Sequence, residues 1–85
     1  MRWANASKDN PGYTVYHTIP DRDPNTLYVI RQKQATPNFQ PAGWRVFTRT
    51  SKDETLRTIY FDPALTQCKK FVKELEDVLT GNTTE

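Results

Sequence analysis

The last third of the chain carries one apolar stripe at helical spacing, and this stripe limits what the chain can fold into. Its apolar residues follow one another at steps of one or three positions, so they line one side of a helix. Asp62 can cap the start of this helix, Pro63 suits its first position, and Gly81 can end it. The stripe consists of Ala64, Leu65, Cys68, Phe71, Val72, Leu75, Val78 and Leu79. The sequence therefore predicts one amphipathic helix over 63–80, which needs an apolar surface to cover it.

Four short segments before the helix are rich in β-branched and aromatic residues, which suit a half-buried pleated surface. They span 13–19, 26–34, 44–50 and 55–61, and turns or proline-bearing loops separate them. Short connections favour antiparallel neighbours, so a meander is the simplest topology. We therefore predict an α+β fold: a four-stranded antiparallel β-meander followed by one C-terminal amphipathic helix packed on one sheet face (ββββα).

An 85-residue chain has room for a single domain, which we place at 13–81. Residues 1–12 are interpreted as a flexible N-terminal arm and 82–85 as a C-terminal tail. The predicted core consists of Val15, Leu27, Val29, Trp44, Val46, Ile59, Phe61, Leu65, Cys68, Phe71, Val72 and Leu75. A domain of this size buries only about 60–65% of its unfolded surface, so we also consider a homodimer that would hide more of the helix.

Few side chains can carry catalysis or hold a metal. The chain has one histidine, His17, and one cysteine, Cys68, which we interpret as a strand residue and a buried core thiol. A Cys/His nucleophile pair would need both residues in one cleft with a third orienting group. Asp21 and Asp23 lack the glycine and the distant glutamate of a calcium loop, so we interpret them as turn residues. We predict that the protein is not an enzyme and has no catalytic residue, cofactor or metal.

The sequence also lacks signals for membranes and export. No apolar run approaches the roughly 18 residues that a membrane span needs. The N-terminus has no apolar region of the kind found in signal peptides. We therefore expect an intracellular protein, cytoplasmic or nuclear, without a membrane partner.

Positive charge is concentrated in one stretch of the sequence. Basic residues outnumber acidic ones by only 12 to 10, yet 24–52 contains no acidic residue. The basic residues of this stretch are Arg31, Lys33, Arg45, Arg49 and Lys52. On the third predicted strand, Arg45, Phe47 and Arg49 share one face, and the residues between them face the core. We predict that this open face is completed by Tyr16, Tyr28 and Ile30.

Exposed rings between cations are typical of platforms for single-stranded nucleic acid, because bases stack on the rings and cations neutralise phosphates. We predict binding of nucleic acid, single-stranded DNA or RNA rather than duplex, by the open face. The predicted contacts are Tyr28, Arg31, Lys33, Arg45, Phe47, Arg49 and Lys52. Two alternatives stay open: the face binds a protein or a second copy, or it serves only cross-strand support. A small regulator or inhibitor of a larger protein would also use loop 35–43, with Phe39 as its anchor.

The strand-to-helix segment 57–71 resembles a known family. Its Ile59-x-Phe61 strand ending, its Asp62-Pro63 helix start and the apolar stripe through Leu75 are similar to those of the single-stranded-DNA-binding transcriptional coactivators (the positive cofactor four family). The resemblance implies a four-stranded antiparallel sheet with one helix, a dimer formed through the helices, transcription regulation, and basic and aromatic sheet residues that hold single strands. The family usually has a Lys-Gly pair that opens the fourth strand, whereas the positions before Ile59 here are Arg57-Thr58.

Overall fold

The chain folds into one antiparallel sheet followed by one helix. A computed structural model describes residues 2–50 and 52–81, except for the side chain of Asp53. The strands are β1 (Ala4–Asn5), β2 (Tyr13–Thr18), β3 (Leu27–Lys33), β4 (Trp44–Thr50) and β5 (Asp53–Asp62), and the helix is α1 (Leu65–Thr80). The sheet order is β1-β2-β3-β4-β5, with every neighbouring pair antiparallel. The predicted α+β class and the meander of its main strands are confirmed.

The sheet has one strand more than predicted. In β1, Ala4 pairs with His17 and Asn5 pairs with Tyr16. The Ala6 N–H then donates to the carbonyl of Val15 at 2.8 Å, and a short 3₁₀ helix follows at Ser7–Asp9. This segment is polar and has no strand periodicity, so only its backbone hydrogen bonds reveal the pairing. Residues 4–9 of the predicted arm thus lie along the edge of the sheet, while the predicted tail at 82–85 lies outside the described residues.

The helix begins two residues later than predicted. Asp62 ends β5, and its Oδ1 accepts a hydrogen bond from the Ala64 N–H at 2.8 Å, so it caps the turn before the helix. Gly81 adopts a left-handed backbone with φ of 76°, and its N–H donates to the carbonyls of Asp77 and Val78. The predicted helix end is therefore confirmed. Within the described part of the chain, no helix has the length and apolar character of a membrane span.

The helix covers one face of the sheet, here called the helix face. Its central cluster contains Tyr28, Ile30, Val46, Cys68 and Val72, all at most 2% exposed. Trp44, Ile59, Leu65, Phe71 and Leu75 pack around this cluster, as the sequence predicted. Tyr28, Ile30 and Tyr16 were assigned to the open face, and this assignment was wrong. Ile30 pairs with Val46 and Tyr28 with Thr48, so they share the helix face, and the Tyr16 ring lies 6.1 Å from that of Trp44.

A second, smaller apolar cluster lies on the opposite face of the sheet, the open face. Val15, Val29 and Phe47 are buried there, with Ala6, Tyr13 and Leu27 packed around them. Val15, Leu27 and Val29 were predicted in the core, and they do contact apolar neighbours, but on the side away from α1. The N-terminal segment covers part of this cluster, so burying the open face does not require the helix.

A β-bulge in β5 changes which rings face the helix. Val46 pairs with Tyr60, but the next β4 residue pairs with Thr58, so Ile59 is an extra residue in β5. Tyr60 then stacks on Phe71 of α1, with ring centroids 4.2 Å apart. Phe61 pairs with Arg45 on the open face and is 44% exposed, so its predicted place in the core was wrong.

Candidate nucleic-acid interface

Four cations project from the open face: Arg31, Lys33, Arg45 and Arg49, here called the basic face. Arg31 on β3 pairs directly with Arg45 on β4, and Arg45 pairs in turn with Phe61 on β5. Strand alternation brings Lys33 to the same side as Arg31, and Arg49 to the same side as Arg45. The structure therefore brings together four of the five predicted cations.

Arg31 lies between two rings. Its guanidinium carbon is 4.8 Å from the ring centroid of Tyr13 and 4.6 Å from that of Phe47. These distances allow cation–π attraction to both rings. Phe47 lies on the open face as predicted, but it is only 9% exposed beneath Arg31, among Val15 and Val29. Its predicted role as an exposed stacking ring was therefore wrong, and Tyr28, 2% exposed on the helix face, cannot stack on a base either.

Two other rings are exposed beside the cations. Phe61 is 44% exposed, and the guanidinium carbon of Arg45 lies 5.4 Å from its ring centroid. Phe39 is 38% exposed, and the Nζ of Lys33 lies 5.0 Å from its ring centroid. Sequence reasoning assigned Phe61 to the core and Phe39 to a protein contact. The pairing of Phe61 with Arg45 depends on the bulge at Ile59, which leaves no signal in the sequence.

A tight turn presents Phe39 to solvent. The Thr36 N–H donates to the Phe39 carbonyl at 2.9 Å, and the Phe39 N–H donates back to the Thr36 carbonyl at 3.1 Å. Gln40 adds a side-chain hydrogen bond to the same Thr36 carbonyl at 3.4 Å. These reciprocal bonds order the middle of loop 35–43 and hold the ring close to the end of β3.

The cations of the basic face form no salt bridge with the carboxylates that the structure describes. Like charges directly opposite each other on neighbouring strands destabilise a sheet, and Arg31 and Arg45 occupy such positions. An anion bound near either guanidinium would relieve this repulsion and form charge-assisted hydrogen bonds.

The cations of the basic face are not evenly spaced, because Arg49 lies far from the other three. Arg49 lies about 13 Å from Arg45 along the strand, and it lines a shallow groove together with Glu54. Lys52 lines a different groove with Thr48 and Thr50, whose side chains belong to the helix side of the sheet. Lys52 was predicted as part of the binding face, and the structure places it elsewhere. The strongest positive charge therefore lies at the end that holds Arg31, Lys33 and Arg45.

The residues considered for catalysis or metal binding lie apart. Cys68 is fully buried beneath the helix, and burial raises the pKa of its thiol, whereas His17 belongs to the open face. Asp23 accepts hydrogen bonds from the Asn25 N–H and the Thr26 hydroxyl, both at 2.9 Å. These bonds lower the pKa of Asp23, the Asn25 N–H most, and they stabilise the turn as predicted. Within 2–50 and 52–81, no three potential ligands from histidine, cysteine, aspartate and glutamate come together.

A charged network, which the sequence analysis missed, joins the exposed Arg22 to the buried Glu76 and Tyr28 on the helix face. Arg22 donates from Nε and Nη2 to the two carboxylate oxygens of Glu76, both at 2.9 Å. The Tyr28 hydroxyl donates to the same carboxylate at 2.5 Å. The Arg22 hydrogen bonds lower the pKa of Glu76, and burial, reinforced by Glu76, raises the pKa of Tyr28 to about 12. This network connects the β2–β3 turn to α1 and explains why Tyr28 is buried.

Comparison with known proteins adds no functional assignment. The resemblance to the single-stranded-DNA-binding coactivators stays a hypothesis that depends on segment 57–71 alone. Set against protein-family models, curated proteins and solved structures, the chain matches none of them.

Proposed function

We propose that this protein binds single-stranded nucleic acid through the basic face. The observation that carries the proposal is the cross-strand pair of Arg31 and Arg45, which form no salt bridge with any described carboxylate, beside the exposed ring of Phe61. Phosphates would contact the guanidiniums, and an unstacked base would lie against Phe61 or Phe39. This arrangement replaces the predicted stacking rings, Tyr28 and Phe47, with two rings that solvent reaches.

Single strands suit this surface better than duplex. A stacking ring needs a base with a free face, which paired and stacked bases do not offer. Reading a duplex usually requires a helix or a two-stranded ribbon in the major groove. The basic face lies on the side of the sheet away from α1, and it is a broad sheet surface with its rings at one end. We therefore expect weak sequence preference and strong salt dependence.

The first prediction concerns the paired arginines. The double variant R31Q/R45Q is expected to bind a labelled single-stranded oligonucleotide at least about tenfold more weakly at moderate salt, because two phosphate contacts are lost. The slope of log affinity against log salt should fall by about 1.4, since each single-strand phosphate contact contributes about 0.7. Fluorescence anisotropy titrations at two or more salt concentrations measure both quantities.

A charge-matched control accompanies this experiment. The single variant K52Q removes one exposed cation that lies off the basic face, matches the charge change of R45Q and should retain most of the affinity. Circular dichroism melts show whether R31Q/R45Q stays folded, and the single variant R45Q avoids disturbing the Arg31 contacts with Tyr13 and Phe47. Absence of binding by the unmodified protein at low salt, or equal losses in R45Q and K52Q, would contradict the proposal. In the first case an acidic protein partner becomes the better candidate for this face.

The second prediction concerns stacking on Phe61. Replacement of Phe61 by alanine is expected to weaken single-strand binding by about tenfold, within the range measured for base–aromatic contacts. Leu56 is the matched control, because it lies on the same strand and is similarly exposed, at 42% against 44%. An equal loss of affinity in L56A and F61A would assign the effect to general disturbance of β5. Duplex of the same sequence should bind more weakly than the single strand to the unmodified protein.

Dimer formation is a separate proposal, suggested by the size of the domain and by the family resemblance. Light scattering at micromolar concentration, with and without oligonucleotide, measures the mass directly. A strict monomer would remove this support for the resemblance without affecting the basic face.

A further inference from the structure

A second cationic surface lies across the sheet edge from the basic face. Trp3, Lys69, Lys70 and Lys73 line one cleft of about 430 Å³, here called the tryptophan cleft. Among the described residues, Lys70 forms a salt bridge with Glu74 at 3.9 Å, and both side chains are more than 60% exposed, so this pair neutralises little charge. The described carboxylates form no salt bridge with Lys69 or Lys73. Three ammonium groups thus surround one indole.

The indole is held in place before any ligand arrives. Trp3 packs against the central cluster of the helix face. The Thr18 hydroxyl donates a hydrogen bond to the Arg2 carbonyl, and Ala4 pairs with His17, so the backbone is held on both sides of Trp3. The position of the Trp3 ring is therefore set by the fold, and the lysine side chains around it can adjust to a ligand.

The tryptophan cleft and the open face lie on opposite sides of the sheet, and the edge formed by β1 and β2 separates them. Trp3 packs on the helix face, and Ala6, three residues later, packs on the open face. Three extended residues span about 10 Å. On β2, Tyr13 lies beside Arg31 on the open face, while Lys69 lies 4.9 Å from the ring centroid of Tyr16 on the helix face. A flexible polyanion could pass from one set of cations to the other across this short edge.

We propose that the tryptophan cleft extends the binding site, so that one single strand wraps around the β1 edge and places phosphates against Lys69 and Lys73. The inference rests on the proposed function of the basic face. A nucleic-acid strand is favoured over an acidic peptide because the cleft combines cations with an aromatic ring and continues the basic face. Phosphates would bind the ammonium groups, and an unstacked base would lie against Trp3.

The test compares two oligothymidylates of about 6 and about 16 nucleotides, lengths within the site sizes of sheet-based single-strand binders. Only the longer one is expected to reach both surfaces. In the double variant K69Q/K73Q, affinity for the longer strand should fall about tenfold, and its salt slope by about 1.4. Affinity for the shorter strand should stay unchanged. The variant K69R/K73R should restore the long-strand affinity, and K52Q again controls for the loss of a cation elsewhere on the surface.

The outcomes separate this inference from the proposed function. If both oligonucleotides bind but K69Q/K73Q affects neither, the basic face binds single strands and the wrapping path is wrong. If neither oligonucleotide binds the unmodified protein at low salt, both proposals fail together. Competition for the cleft by an oligoglutamate peptide, with no difference between the long and the short strand, would also overturn the inference and assign the cleft to acidic proteins.

Discussion

Replacing Glu76 with alanine is expected to lower the free energy of unfolding by about 3 kcal/mol, the largest effect of a single charged side chain in this domain. The substitution leaves the Tyr28 hydroxyl buried without its acceptor and removes both hydrogen bonds from Arg22. Glu76 is only 6% exposed, so water cannot easily take its place. In a domain of this size, such a loss lowers the melting temperature by about 10–20 °C.

Glu74 provides the control on the same helix. Its side chain is 63% exposed, and its contact with Lys70 at 3.9 Å should contribute less than about 0.5 kcal/mol. Urea denaturation of E74A and E76A therefore compares an exposed ion pair with a buried one. Equal stability of the two variants would show that the Arg22–Glu76–Tyr28 network does not hold the β2–β3 turn against the helix.

The stability that Glu76 contributes depends on pH, and the pKa shifts of Glu76 and Tyr28 define the direction. Arg22 lowers the pKa of Glu76 below its ordinary value of 4.5, so folding favours the carboxylate. The resulting stability is present above that ordinary value and is lost as the pH falls through the lowered pKa. Tyr28 behaves in the opposite sense, because its pKa rises from 10 to about 12 on folding. Its contribution is full below pH 10 and is lost towards pH 12. The stabilities of wild type and E76A should therefore differ most between pH 4.5 and pH 10.

The main elements of the fold could be predicted because their signals are local. Helical spacing, the left-handed Gly81 and the strand segments each depend on neighbouring residues. The register of β3 could not be predicted in the same way. Both faces of β3 carry apolar residues, and alternation alone does not say which face receives the helix. Tyr28 lies on the helix face, where its hydroxyl donates a hydrogen bond to the carboxylate of Glu76, 48 residues away in the sequence.

The sequence correctly indicated the positively charged residues of the candidate site, but it did not indicate which aromatic rings are exposed there. Cations stand out because residues 24–52 contain no acid, and Arg31, Arg45 and Arg49 do share a face. The sequence does not show in the same way whether an aromatic side chain is exposed, because rings occur in both cores and surfaces. The bulge at Ile59 turned Phe61 outward, and the side chain of Arg31 covered Phe47. Both changes arise from tertiary packing, which a single sequence does not display.

Gly43 is the residue whose substitution should most disturb the end of the sheet where these groups meet. A β-carbon at this position would lie 2.7 Å from the carbonyl oxygen of Asp62 and 2.8 Å from the Cα of Pro63. Both contacts are with backbone, which cannot rotate away, and a third contact at 2.8 Å is with the ring of Phe61. We expect G43A to lower the free energy of unfolding by about 2–3 kcal/mol through overpacking.

Two variants isolate this steric cause. The neighbouring Ala42 is exposed, so A42S should change stability by less than about 0.5 kcal/mol. Gly12 has open space around it but a φ of 85°, so G12A should cost about 1 kcal/mol through backbone strain alone. Gly43 has no positive φ, so glycine is needed there because a β-carbon would not fit, and not because of the backbone conformation. If G43A proves as stable as A42S in urea denaturation, β4 and the β5–α1 junction are not in close contact. If it is strongly destabilised, the variant should also lose single-strand affinity under native conditions, because Phe61 and Arg45 flank the displaced backbone.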